Sequence, residues 1–221
     1  MINIKQLVAE FMNITLSELA QLKEKQVERS VADWNKYGID KYYNETDCNL
    51  VGLAYFNDNF RLDNLLHPIK YYKDMKVLDY GAGIGVVANI LSQRNTVYYY
   101  DLPGKTKECA KYINSKADNK FTVVDTQLDV LKQDINCIIC VDVLEHVTNP
   151  MELVKDFTMA LPKSGLLLTT GLDFSTGPHI PMHLIKNREY RQEYDAYMNK
   201  NYRLIYYHPT KNETIYLWSK L

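Results

Sequence analysis

Val77-Leu78-Asp79-Tyr80-Gly81-Ala82-Gly83-Ile84-Gly85 carries the strongest fold signal in the chain. An apolar strand runs into an acid, and a G-x-G-x-G turn then opens a helix. Glycines let the backbone bend sharply and approach a ligand closely. The helix N-terminus behind them favours an anionic group such as a carboxylate. Dinucleotide-binding turns prefer G-x-G-x-x-G, so this spacing points elsewhere. Asp101 ends the next expected strand, and a carboxylate there can accept both hydroxyls of a ribose.

Downstream of Met75, strands and helices alternate, the signature of a parallel sheet covered on both faces. Strands are expected over 76–80, 96–100, 121–124, 137–141 and 166–170. Helices are expected from the glycine turn to Leu91, over 106–115, from about Leu144, and over 151–160 and 189–199. Two final strands, 203–207 and 214–219, should add an antiparallel edge. Upstream, residues 1–72 read as a helical extension or lid, leaving 73–221 as the second domain. Ile4, Leu7, Val8, Phe11 and Met12 recur at helical spacing. Thr15-Leu16-Ser17-Glu18 has the form of a capping box. Leu16, Leu19, Val27, Val31 and Trp34 continue an apolar stripe to Gly38, a candidate helix stop. A further helix is expected over about 58–72.

The composition is that of a globular chain of 221 residues, 46% hydrophobic and 24% charged. Lys+Arg is 26 against Asp+Glu 27, so no basic excess meets a phosphate backbone, and nucleic acid is not the expected partner. Residues 1–10 lack a basic stretch followed by an apolar core, and no run suffices to span a bilayer. A cytoplasmic location is the expectation. Cys137 and Cys140 form a C-x-x-C, but on a buried strand they point to opposite faces and cannot share a metal or a disulfide.

Val141-Asp142-Val143-Leu144-Glu145-His146-Val147 follows the fourth expected strand. If Asp142 opens a helix, Asp142, Glu145 and His146 share one face, aimed at the crevice where open α/β sheets bind ligands. Three readings stay open. Asp142 caps the helix and His146 packs. His146, assisted by Glu145, is a general base of suitable pKa for a hydroxyl or phenol. Or Asp142, Glu145, His146 and His183 hold a divalent metal.

The glycine turn, the acid at 101, V-D-V-L-E-H-V at 141–147 and L-P-K-S-G-L-L-L-T-T at 161–170 together resemble the class I S-adenosylmethionine-dependent methyltransferases, over about 75–221. The resemblance implies a Rossmann-like, seven-stranded, mostly parallel sheet with helices on both faces. It implies S-adenosylmethionine as cofactor, with Asp79 near its amino group and Gly81, Ala82, Gly83 and Gly85 around its methionine part. Asp101 would meet the ribose, Leu102 would lie beside the adenine, Gln127 would flank the adenine amino group, and Asp142 is a further cofactor-binding candidate. The D-x-x-E-H segment with a distant histidine resembles the E-x-x-E-H segment of metal-dependent 2′-O-methyltransferases of small-RNA ends, with Asp142 in place of the first Glu, and it also resembles ubiquinone-pathway O-methyltransferases. The loop 173–184, with His179 and His183, would wall the acceptor pocket. Trp34, Tyr37, Tyr42, Tyr43, Tyr55 and Phe56 are candidates for a lid. The expected reaction is methyl transfer to a small molecule, at a hydroxyl. The alternatives are an RNA or protein acceptor, and a binding domain without turnover.

Overall fold

The computed structural model describes residues 3–56, 59–126, 133–170, 182–209 and 214–221. Five helices come first: α1 (Ile4–Met12), α2 (Leu16–Glu24), α3 (Gln26–Glu45), α4 (Cys48–Phe56) and α5 (Asn59–Leu66). Then follow β1 (Lys76–Tyr80), α6 (Val86–Leu91), β2 (Thr96–Tyr100), α7 (Lys105–Lys116), β3 (Thr122–Val123), β4 (Cys137–Cys140), α8 (Pro150–Ala160), β5 (Leu166–Thr169), a 3-10 turn (Ile185–Tyr190), α9 (Arg191–Asn201), β6 (Tyr202–Pro209) and β7 (Thr214–Lys220). Among the described residues the seven strands form one sheet, ordered β3-β2-β1-β4-β5-β7-β6. β1 to β5 pair in parallel, and β7 runs antiparallel to both β5 and β6.

The central strands are apolar on both sides because both sides are covered. Leu78, Ile138, Cys140 and Leu167 face Val154, Phe157, Tyr194 and Met198. Val77, Val97, Cys137, Ile139 and Leu168 face Leu65, Ile69, Ala88 and Ala110. Cys137 and Cys140 thus lie on opposite faces, buried and free, as the alternation of a strand requires. In a third cluster Val8, Leu19, Leu50, Val51 and Ala54 of the N-terminal helices pack on Ile84, Val86, Cys109 and Ile113. The extension therefore lies against the glycine turn and α7.

Local signals account for several boundaries. Thr15 makes the capping box: its hydroxyl accepts from the Glu18 amide at 3.2 Å, and Glu18 accepts from the Thr15 amide at 2.7 Å. Gly38 does not end its helix. It sits inside α3 at φ 66°, a kink after which the chain resumes helical geometry and buries Tyr42. The expected 58–72 helix is shorter, with α5 ending at Leu66. The helix expected from Leu144 is absent: 144–146 form a turn, and α8 begins only at Pro150. Asp142 at φ 53° lies outside helical geometry. Asn149 accepts from the Glu152 amide at 3.2 Å and Pro150 is the first helical residue, so the start signal lies there. Among the described residues, no helix is long and apolar enough to cross a membrane.

Candidate active site

The sheet register brings the functional segments together. Tyr80 pairs with Tyr100 and with Cys140, and Cys140 with Thr169, so the carboxyl ends of four strands lie side by side. Gly81, Asp101, Asp142 and Thr170 all emerge at this edge.

Gly81, Gly83 and Gly85 have φ of 65°, 57° and 76°, the left-handed region that glycine alone enters without cost. A Cβ on Gly81 would lie 2.3 Å from Val143, and one on Gly83 3.0 Å from Leu53 of α4. The turn is thus wedged between the D-x-x-E-H segment and the extension. Its amides at Gly81 and Ala82 donate to the Tyr100 carbonyl at 2.9 and 3.1 Å. Asp101 Oδ2 accepts from the Gly83 amide at 2.6 Å and Oδ1 from the Leu102 amide at 2.7 Å. Each oxygen keeps a further lone pair. That fits the paired hydroxyls of a ribose. Leu102 beside it is exposed, as an apolar ring contact requires. Gln127 lies outside the described residues.

Asp79 is buried at the end of β1, and its Oδ2 has no hydrogen-bond partner among the described residues. Burial, with the Asp101 charge adding, pushes its carboxyl up to about 7 against the help of the Ala88 amide. A buried carboxyl oxygen with its lone pairs unshared fits an ammonium group. Burial likewise pushes Asp101 up to about 6. These two acids and the glycine cradle are what the amino-acid and ribose parts of S-adenosylmethionine would need.

Asp79 also links fold stability to pH. Between 3.8 and about 7 the unfolded chain is ionised at this residue while the folded chain holds the proton, so its contribution to stability falls as pH rises through that window. Asp79→Asn carries no such loss. The melting temperature of the cofactor-free variant should gain on that of the unaltered chain as pH rises from 4 to 7, and then stay level. A constant offset across that range would contradict the burial argument.

The D-x-x-E-H segment departs from its sequence reading. Asp142, Glu145 and His146 sit on a turn rather than on one helix face. Asp142 neither caps a helix nor joins a metal-type cluster. Its carboxylate takes Arg61 of α5 at 2.5 Å and the Thr170 hydroxyl at 3.2 Å. Glu145, His146 and His183 do come together, with ligand atoms within 4.8 Å of one another. Glu145 is buried, and the rings of His146 and His183 are 4.7 Å apart, edge to face. His146 Nδ1 lies 3.0 Å from the Tyr43 hydroxyl and 3.1 Å from the Met182 carbonyl. A carbonyl only accepts, so these neighbours assign the proton to Nδ1 and the lone pair to Nε2. Burial, then His183, pushes the imidazole down to about 4, so it is neutral at physiological pH but a weaker base than the free imidazole that the sequence reading assumes.

Three further residues shape the site. Tyr43 and Arg61 come from the extension, and Tyr43 was legible only as one aromatic among several. Asn187, buried in the 3-10 turn, points its amide at the carbonyls of Leu144, Glu145 and Val147 at 2.9–3.2 Å and staples the turn. Nothing local marks Asn187 or Arg61, because their partners lie 40–43 and 81 positions away. Tyr42 packs edge to face on Trp34 and Tyr43, buried in the extension rather than lining the site. His179 lies outside the described residues.

No curated protein matches the chain. Solved structures share its fold. Magnesium protoporphyrin IX methyltransferase from Synechocystis, solved with S-adenosylmethionine bound, is 14% identical over 89% of this chain and 97% of its own, with a TM-score of 0.58. A ribosomal protein L11 methylase from Lactobacillus delbrueckii subsp. bulgaricus is 14% identical over 73% and 77%, with a TM-score of 0.54. An O-methyltransferase family 2 protein from Planctomyces limnophilus, in complex with apigenin, is 19% identical over 69% of this chain, which spans 52% of that protein, with a TM-score of 0.50. Residues 57–212 match the profile of the methyltransferase domain. The glycine turn with Asp79 and Asp101 lies inside that match, and the chain belongs to the methyltransferase domain family, as an S-adenosylmethionine-dependent methyltransferase of class I.

Proposed function

We propose that the chain methylates a small molecule at a hydroxyl, with the acceptor seated beside Glu145, His146 and His183. Residues 1–72 form the lid of this site, and 73–221 form the catalytic domain. The observation that carries the reading is the neutral His146, held at Nδ1 with its Nε2 lone pair available next to a buried carboxylate. Bound S-adenosylmethionine supplies a methyl group activated by a positive sulfur. The chain has to align the acceptor, exclude water and take the proton. His146 Nε2 takes the hydroxyl proton, and the Glu145 carboxylate steadies the resulting imidazolium. Leu53 over Gly83, Tyr43 on His146 and Arg61 on Asp142 roof the corner, which suits a small acceptor better than a duplex. The net charge of −1 agrees. Four buried free cysteines suit a reducing compartment, and we assign the chain to the cytoplasm.

Purified chain with S-adenosylmethionine and a panel of phenols, sugars and amines tests this. Release of S-adenosylhomocysteine with a hydroxylated small molecule supports it, and release only with RNA or a protein overturns it.

One observation favours a second reading of the same corner. Glu145, His146 and His183 offer an O/N ligand set of the kind divalent cations take, and His146 is already deprotonated. A cation held there would lower the pKa of an acceptor hydroxyl. EDTA is then expected to abolish turnover, with Mg²⁺, Mn²⁺ or Zn²⁺ restoring it. Full activity in EDTA, with no metal by elemental analysis, removes this reading and leaves His146 as the base.

A further inference from the structure

Lys107 is the one buried lysine among the described residues. It lies in the first turn of α7, just beyond Asp101. Its Nζ donates to the Val124 carbonyl at 2.9 Å and meets Asp125 Oδ1 at 3.0 Å. Its side chain is 7% exposed, whereas that of Asp125 is 80% exposed. An ammonium is costly to bury, and a surface lysine would serve to pair an exposed acid. Drawing this charge inside makes sense only if something inside needs it. Its Nζ lies 6.0 Å from the centre of the ring of Tyr100, the residue before Asp101, as well as on the Val124 carbonyl, so it stands between the ends of β2 and β3, where the proposed ribose and adenine would lie.

We propose that Lys107 is a positioning residue of the cofactor pocket: its clamped ammonium holds a fixed positive charge between the ends of β2 and β3, so that Asp101 meets the ribose as a carboxylate and the end of β3 stays drawn against it. The inference rests on the assignment of Asp101 to the ribose. The charges around Asp101 explain the need. Asp79 from β1 is a second buried acid, and Tyr43 from α3 and Tyr99 and Tyr100 from β2 are neutral phenols. Burial works against the Asp101 carboxylate. The Gly83 and Leu102 amides support it, and Lys107 is the cation that does so.

Calorimetric titration of the full chain with S-adenosylmethionine at pH 6 and pH 8 tests the proposal. Removing the charge in Lys107→Met should raise the Asp101 pKa. The carboxyl of the variant then holds its proton at pH 6 but not at pH 8, so the affinity lost should be several-fold greater at pH 6 than at pH 8. Asp79 feels the Asp101 charge and titrates in the same range, so the comparison is repeated in an Asp79→Asn background, where the pH dependence that remains belongs to Asp101. Lys107→Arg, which keeps the charge, should return the ratio to that of the unaltered chain. Lys107→Gln, which can still bond the Val124 carbonyl, carries the test if the methionine variant does not fold. An equal loss at both pH values, or no loss, overturns the proposal. Failure of the unaltered chain to bind S-adenosylmethionine would instead strike at the cofactor site itself.

Discussion

Replacing His146 by alanine is expected to lower turnover about a hundred- to ten-thousandfold, the range for removing a positioned acid or base, with S-adenosylmethionine affinity unchanged. The imidazole stands at the end of β4, and the cofactor groups argued above fall to β1 and β2. Its Nδ1 is occupied by the Met182 carbonyl and the Tyr43 hydroxyl, so Nε2 is the atom left for chemistry. The prediction holds whether Nε2 accepts a proton or holds a cation, because both need the same lone pair. Steady-state kinetics beside calorimetry separates kcat from binding. Full activity of His146→Ala would return the residue to packing. Joint loss of activity and cofactor affinity would mean that the turn had collapsed, a risk reduced by Asn187, which binds the turn through its backbone carbonyls.

Asp101→Ala is expected to weaken S-adenosylmethionine binding by about 1.5–3 kcal/mol, the value of a hydrogen bond to a charged group, or about 10- to 150-fold in Kd. Two effects add. The ribose loses its acceptor, and the Gly83 amide loses the carboxylate that accepts its bond at 2.6 Å. Since that bond also pins the glycine turn, the methionine part of the cofactor should be held less firmly. Unchanged affinity by calorimetry would sink the ribose assignment. A loss beyond that range would indicate that the turn itself had moved.

The sheet was legible because its strands are short apolar runs closed by glycine, proline and acids. The expected and observed strand ends differ by no more than two residues. The capping box at Thr15 was legible for the same reason, since both partners lie within one helical turn. The corner that carries the proposed chemistry was legible in its residues but not in its geometry. Spacing put Asp142, Glu145 and His146 on one helix face. A left-handed residue at 142 and the start signal at Asn149-Pro150 instead make the segment a turn. That turn keeps Glu145 and His146, brings in His183, and gives Asp142 to Arg61. Arg61, Asn187 and Lys107 left no mark in the sequence, because each acts through a partner distant along the chain and periodicity reports only local neighbours. Gly38 was read as a helix end, whereas it is a kink inside α3. The burial of Tyr42 rewards continuing the helix beyond the kink.

In the arrangement proposed, the cofactor lies on the glycine turn with its reactive end toward Glu145, His146 and His183. A crystal structure of the chain with S-adenosylhomocysteine tests it most directly. Ribose hydroxyls are expected on Asp101, the amino group at Asp79 Oδ2, and the sulfur facing the His146 corner across an open space of acceptor size. A ribose away from Asp101, or a sulfur turned from His146 with that corner sealed by protein, would contradict it.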